Sequence, residues 1–487
     1  MRKWFQIAAA ALSLPLFLIG IFGCLPPFLL FGCLLLCVHN LLYAAGHLKT
    51  RAVLLFFQAA ATVFFLLRPL ISLCFGVSET AADDASTVFA YTAVYLSFGC
   101  LFLGAWGMER WLARRDGKKD TRPPGCLTDD PRLSRVRRIA LVLFFIGLLS
   151  TLVVEGDKLF LMAGKSYLLY YTEYTPRVPY LVQALSGFLR PGLCFYLAAM
   201  PRKRPCFFVL LLFVLSSAPM LFIGQRNLIV QYAVFSFLYY LLRDRMEKAK
   251  GETKWLGRTE KTALAVSVPA VLVALSVISV TRFGETAGSV NPLSAVVRLF
   301  YDQGITFDVL RVGFRTLPAL LTGGFKGYTF GGVTDYFAHG TLAQKLFGAA
   351  DLGAGNNLLK ATQSHSLAHN LSYQALGEDY LRGRGLGSSY LLETYADFGY
   401  LGVAVYSVLL GALLLLLVRL LRGKSLLLRA IALCCLITLF FTPRAEALGF
   451  LMFLFTPHFW AAALLCLLPG LVARRRRTMK DAGGERS

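Results

Sequence analysis

The sequence is short of charge, and shorter still of acid: Asp, Glu, Lys and Arg make up 16% of the chain, with 27 acidic against 50 basic residues. Soluble domains carry about 25% charged residues, so a chain folded wholly in water is excluded. Metal-type cysteine spacing is missing too. No CxxC or Cys/His pattern occurs among the eleven cysteines, ten of which fall in apolar runs or at their ends and only Cys126 in a charged loop. They read as small buried hydrophobes. There is no HExxH, no internal repeat, and no groove-reading or base-stacking module. The net charge of +23 therefore does not point to nucleic acid. The missing repeat weakens the case for a carrier built from inverted halves.

What the chain has instead is apolar residues, 56% of the total. They arrive in runs of about 17 to 24, the length that crosses a bilayer. The runs lie near 4–23, 27–46, 52–75, 88–108, 138–154, 179–199, 206–224, 228–242, 262–281, 399–421, 430–446 and 447–470. The expectation is an all-α, polytopic integral membrane protein of about twelve transmembrane helices. Met1-Arg-Lys before an apolar run has the outline of a signal peptide, but a second run follows directly without an obvious small-residue cleavage site. It is read as a retained first span.

Charge sets the orientation. With Met1 inside, the loops at Lys49/Arg51, Arg110 to Arg138, Arg202 to Arg204, Arg243 to Lys261 and Arg422 to Arg429, and the tail at Arg474 to Lys480, all fall inside. That obeys the positive-inside rule and suits anionic lipid. Removing any single span reverses the later assignments and puts Arg474 to Arg477 outside, so the charges themselves favour an even count. The expected organisation is helices one to nine in 1–281, an extracytoplasmic loop subdomain in 282–396, helices ten to twelve in 397–470 and a basic cytoplasmic tail in 471–487. Both termini are expected in the cytoplasm. The loop has no cysteine, but it carries Phe300, Tyr301, Phe307, Phe325, Tyr328, Tyr336 and Phe337 with apolar residues at helical spacing. Short helices folded against the membrane surface are expected, punctuated by glycines.

Three signals point to chemistry. Arginines gather at the outer ends of spans: Arg226 in Gly224-Gln225-Arg226-Asn227, Arg282 in Thr281-Arg282-Phe283-Gly284-Glu285, and Arg444 beside Glu446. One such arginine is usually an anchor or half of an ion pair, but a group at one interface suits phosphate oxygens. Arg68 and Arg190 lie deeper, each followed by proline, and a kink or an internal ion pair accounts for them equally well. The second signal is histidine, with His339, His365 and His369 in the loop; His365 and His369 are four apart, as on one helical face. Without HExxH, no metal is assigned, and His369 is a candidate general base. The third is the run Gly387-Ser388-Ser389-Tyr390, Glu393, Tyr395, Asp397-Phe398-Gly399-Tyr400 and Gly402. Its serines can cap a short helix, and Glu393 and Asp397, four apart, repel each other unless each has a partner.

This last run resembles the late signature of the bacterial oligosaccharide repeat-unit polymerases, the Wzy or O-antigen polymerase class. Gln225-Arg226-Asn227 is similar to an arginine-bearing turn of that family, and Arg282 at the head of a large outer loop fits it. The resemblance implies a glycosyltransferase of the bacterial cytoplasmic membrane. Its donor would be a glycan on undecaprenyl pyrophosphate and its acceptor a lipid-linked repeat unit. No cofactor is implied, and the candidate partners beyond membrane lipid are a flippase and a chain-length regulator. On this reading Arg226, Arg282 and Arg444 hold the pyrophosphate, Arg282 stabilises charge as it leaves, and His369 or Glu393 is the base. Asn227, Asn370, Tyr390 and Asp397 complete the expected contacts to pyrophosphate or glycan. An O-antigen ligase-like enzyme shares the donor, and a lipid-linked oligosaccharide flippase or other transporter shares the span count. The product separates the first. A polar pathway through the midplane marks the second.

Overall fold

The computed structural model describes residues 2–76, 84–116, 131–162, 167–172, 174–247, 254–262, 265–266, 271–273, 276, 291–322 and 324–468. Arg282, Glu285, most of the ninth expected span and the basic tail lie outside the described residues. Among the described residues every regular element is a helix. In chain order they are α1 (Arg2–Phe22), α2 (Pro26–Gly46), α3 (Leu48–Phe65), α4 (Leu67–Phe75), α5 (Asp84–Asp116), α6 (Pro131–Met162), α7 (Tyr180–Ser186), α8 (Leu189–Ala198), α9 (Lys203–Leu215), α10 (Pro219–Phe222) and α11 (Asn227–Glu247). After 291 come α12 (Pro292–Gln303), α13 (Thr306–Leu320), α14 (Gly331–Ala338), α15 (Thr341–Phe347), α16 (Leu358–Gln363), α17 (Leu367–Leu376), α18 (Glu378–Leu381), α19 (Tyr390–Arg422), α20 (Leu426–Thr438) and α21 (Pro457–Leu468).

Nine helices or helix runs among the described residues are long and apolar enough to cross a membrane, and the bent pair Gly449–Phe455 and Pro457–Leu468, angled by 61°, is a tenth. Together they mark an integral membrane protein. The bend falls where Pro457 ends the preceding 3-10 turn, since the residue before a proline is pushed out of helical geometry. Against the twelve expected spans, the difference lies in two places. One is 262–281. The other is α11, which has the required 21 residues but brings Arg243, Asp244 and Arg245 into its last turns. The expected third span is also broken at Leu66, just before Arg68-Pro69, into α3 and α4.

Glycine sets the closest crossings. A β-carbon at Gly104 of α5 would collide with Val408 O of α19, and one at Gly411 of α19 with Leu101 O of α5. Likewise α6 and α8 meet through Gly147 against Leu189 and Gly192 against Phe144. Between membrane helices there is little hydrophobic drive, so small residues that admit close backbone approach decide which helices pair. The α5–α19 seam also carries buried hydroxyls: Tyr390 Oη and Ser97 Oγ are 2.7 Å apart, and Ser407 Oγ donates to Ser97 Oγ at 2.9 Å.

The segment from 291 to 389 is fastened into this bundle by α13. Phe314 stacks on Phe89 of α5 at 4.5 Å, Phe307 meets Tyr91 at 4.6 Å, and Gly313 leaves room for Leu392 of α19. Asp308 on the same helix pairs with Arg68 at 2.8 Å and Arg311 at 3.1 Å, and the Arg68 guanidinium stacks over Tyr301 at 4.1 Å. Arg68 thus has both the kink and the ion pair that its sequence context allowed. Arg190 donates to Tyr232 Oη at 3.1 Å.

Candidate active site

The polar residues of the loop segment converge on the strip 364–369. A β-carbon at Gly331, at the start of α14, would collide with His365 O, so only glycine lets the two backbones touch. This contact brings Asp335 of α14 over the strip. Asp335 accepts from Ser364 Oγ at 2.6 Å and from the His365 N–H at 2.8 Å, and lies 3.0 Å from His365 Nδ1. From the other side Ser366 Oγ donates to Glu446 at 3.1 Å, and Gly332 gives Glu446 its space. The strip is clamped between two carboxylates.

This arrangement corrects one expectation. His365 and His369 do not share a helical face, because α17 begins only at Leu367 and His365 belongs to the extended strip before it. His365 turns to Asp335, whereas His369 Nδ1 is 3.0 Å from Tyr380 Oη. From Tyr380 a chain of hydrogen bonds leads to the arginine turn. Asn356 Nδ2 donates to Tyr380 O at 2.9 Å, the Asn356 N–H donates to Tyr171 O at 2.8 Å, and Gln225 Nε2 donates to Tyr171 Oη at 3.3 Å. Gln225 immediately precedes Arg226, a half-buried residue at the head of α11, and Asn227, the exposed first residue of that helix. Arg444 donates to Gln303 at 3.1 Å, two residues before Glu446. Arg282 lies outside the described residues.

Burial tunes the titrating groups here. His369 is pushed down to about 4, first by burial and then by neighbouring Lys360, with Asp335 opposing. It is therefore neutral at pH 7. The Lys360 ammonium is itself held below its ordinary value by burial, and burial raises Glu446, with Asp335 adding to the effect.

The acidic pair of α19 has a structural explanation. Glu393, fully buried, accepts from Ser388 Oγ at 2.6 Å and from the Ala447 N–H at 2.7 Å, so both of its oxygens are engaged. Asp397 accepts from the N–H groups of Tyr328 and Thr329, at 2.9 and 2.6 Å, where the chain turns into α14. Two carboxylates four apart thus answer two separate sets of donors. Of the two serines only Ser389 caps the helix, accepting from the Leu391 N–H, while Ser388 serves Glu393. Gly399, at φ +62°, makes the joint to the long span that follows. Two expected glycan contacts lie inside the packing. Tyr390 is wholly buried on Ser97, and Asn370, 4% exposed, donates to Ala361 O at 2.7 Å. Their side chains tie helices together.

The profile of the family described as O-antigen polysaccharide polymerase Wzy matches residues 5–475, nearly the whole chain. The chain belongs to the Wzy family. Wzy membership makes it a polysaccharide polymerase of O-antigen synthesis, a glycosyltransferase type of enzyme acting in the membrane on lipid-linked repeat units. No curated protein and no solved structure matches it significantly. Within this Wzy chain, Asp335, Lys360, Tyr380 and Glu446 join the loop cluster although sequence reasoning gave them no role. Glu446 stands beside Arg444 in the sequence. The other three carry no signal at helical or motif spacing, and Tyr171 and Asn356 meet only through the fold.

Proposed function

We propose that the chain extends a glycan by transfer from undecaprenyl pyrophosphate onto a second lipid-linked repeat unit, at the outer face of the cytoplasmic membrane. In this reaction an acceptor hydroxyl attacks the anomeric carbon of the donor. The new C–O bond forms as the bond to pyrophosphate breaks, and the electron pair leaves on the phosphate oxygen. His369 takes the hydroxyl proton. In the tautomer that carries its proton on Nδ1, 3.0 Å from Tyr380 Oη, the lone pair sits on Nε2, and neutrality at pH 7 keeps that pair available. Arg226, Arg282 and Arg444, joined by Lys360, stabilise the charge on the departing pyrophosphate. That anion in turn raises the basicity of His369 when substrate is bound. Asn227, exposed on α11 next to Arg226, adds a hydrogen bond to the same pyrophosphate. Glu393 and Asp397 position the loop segment.

The observation that supports this reading most is the hydrogen-bonded path from Gln225 through Tyr171, Asn356 and Tyr380 to His369, which ties the arginine turn to the base. Supply of outward-facing units calls for a flippase, and control of length for a regulator, as partner proteins. The experiment is replacement of Arg226 or Arg282 by alanine in cells that make the surface glycan. Long chains should vanish while protein levels stay normal. Wild-type chain lengths in both variants would sink the assignment.

A further inference from the structure

We propose that Asp335, His339 and His365 form a binding site for one divalent transition-metal ion. A donor atom from each of the three lies within 4.8 Å of the others. A metal at bonds of about 2.0–2.2 Å holds tetrahedral ligand atoms roughly 3.3–3.6 Å apart, so side-chain rotation must draw the three in by about 1 Å. The site is assembled from two pieces of chain. Asp335 and His339 stand one turn apart on α14 and its C-terminal cap, and are presented on one side. His365 comes from the strip that Gly331 allows to lie against that helix.

The surrounding hydrogen bonds orient the ligands. His339 Nδ1 is 3.1 Å from Ala350 O. A carbonyl only accepts, so the ring proton sits on Nδ1 and the Nε2 lone pair is left for a metal. Ser364 Oγ donates to one oxygen of Asp335 at 2.6 Å, and the other faces His365 Nδ1 at 3.0 Å. In the metal-free protein that second contact is a hydrogen bond. For Nδ1 to bind a metal the ring takes its other tautomer, with the proton moved to Nε2 and the Nδ1 lone pair turned to the ion. All three residues are half-buried, so an ion has access from solvent. Two imidazoles and one carboxylate suit Zn²⁺, Mn²⁺, Fe²⁺ or Co²⁺ rather than Ca²⁺ or Mg²⁺, which want oxygen throughout. Three protein ligands leave a coordination position for an external oxygen.

The test uses full-length, tag-free protein purified in detergent, stripped with chelator and titrated with Zn²⁺ alone. One equivalent should bind. His339→Ala and His365→Ala should each weaken binding about tenfold or more, while His458→Ala, on α21, should not change it. Co²⁺ loading should give visible d–d absorption in the wild type that disappears in His339→Gln. Since His339 is half-buried and makes a single backbone contact, that variant keeps the fold, and its elution profile checks this. Absence of stoichiometric Zn²⁺ binding, or equal affinity in wild type, His339→Gln and His365→Ala, would overturn the site. Neither result bears on polymerisation.

Discussion

Replacing Glu393 by glutamine separates its two possible roles, base and clamp. The carboxylate is fully buried and receives Ser388 Oγ on one oxygen and the Ala447 N–H on the other. Glutamine fills the same volume but offers only one acceptor, so one buried donor meets an amide NH₂. Such an orphaned group costs about 1–3 kcal/mol. Alanine orphans both donors, for about 2–6 kcal/mol, and leaves a cavity as well. The expected order of thermal stability in detergent is therefore wild type, Glu393→Gln, Glu393→Ala. For Glu393→Gln, polymer formation per folded molecule should stay within several-fold of wild type, because the clamp is weakened and no reacting group is lost. The two readouts are the melting temperature and the glycan ladder normalised to monodisperse protein. A Glu393→Gln protein as stable as wild type but inactive by a hundredfold or more would refute the clamp and make Glu393 the base.

Two further outcomes follow from the site. His369 is depressed from 6.5 to about 4, so as a base it is ready above pH 4; kcat/KM should stay nearly flat from pH 7 to pH 5 and fall on an acid limb near 4, and a limb at 6.5 would contradict the assignment. The same depression makes the folded state bind the proton less readily than the unfolded chain, so this contribution to stability is present above pH 6.5 and is lost as pH falls toward 4. Asp397→Ala removes the acceptor of two backbone N–H groups at Tyr328 and Thr329. A loss of about 1–3 kcal/mol for each donor left unsatisfied, discounted for the partial exposure of Asp397, should speed limited proteolysis between α13 and α14, and an unchanged cleavage rate would count against this anchor.

Much of the membrane architecture was legible because lipid imposes a simple rule: long apolar runs become helices. The same patterning placed Arg226 before the helix it heads. Other features depend on contacts that no spacing encodes. Tyr390, expected as a glycan contact, is buried on Ser97 because Gly104 and Gly411 bring α5 and α19 together. His365 and His369, periodic on paper, part company because the chain is extended through Ser366. Asp335 reaches His365 only because Gly331 admits the strip, and Tyr171 meets Asn356 across loops far apart in sequence. The acidic pair on α19 was visible as a puzzle, but its answer lay in donors from Ser388, Ala447, Tyr328 and Thr329.

Lipid-linked repeat units alone should suffice as donor and acceptor, with His369 as the base. Purified protein given undecaprenyl-pyrophosphate-linked repeat units, without nucleotide sugars, should produce a ladder of lengthened lipid-linked glycan. His369→Ala, recovered in equal and monodisperse amount, should produce none. Wild-type protein that yields no ladder, or that moves an intact chain to another acceptor without lengthening it, would contradict the account; a full ladder from His369→Ala would remove the base from it.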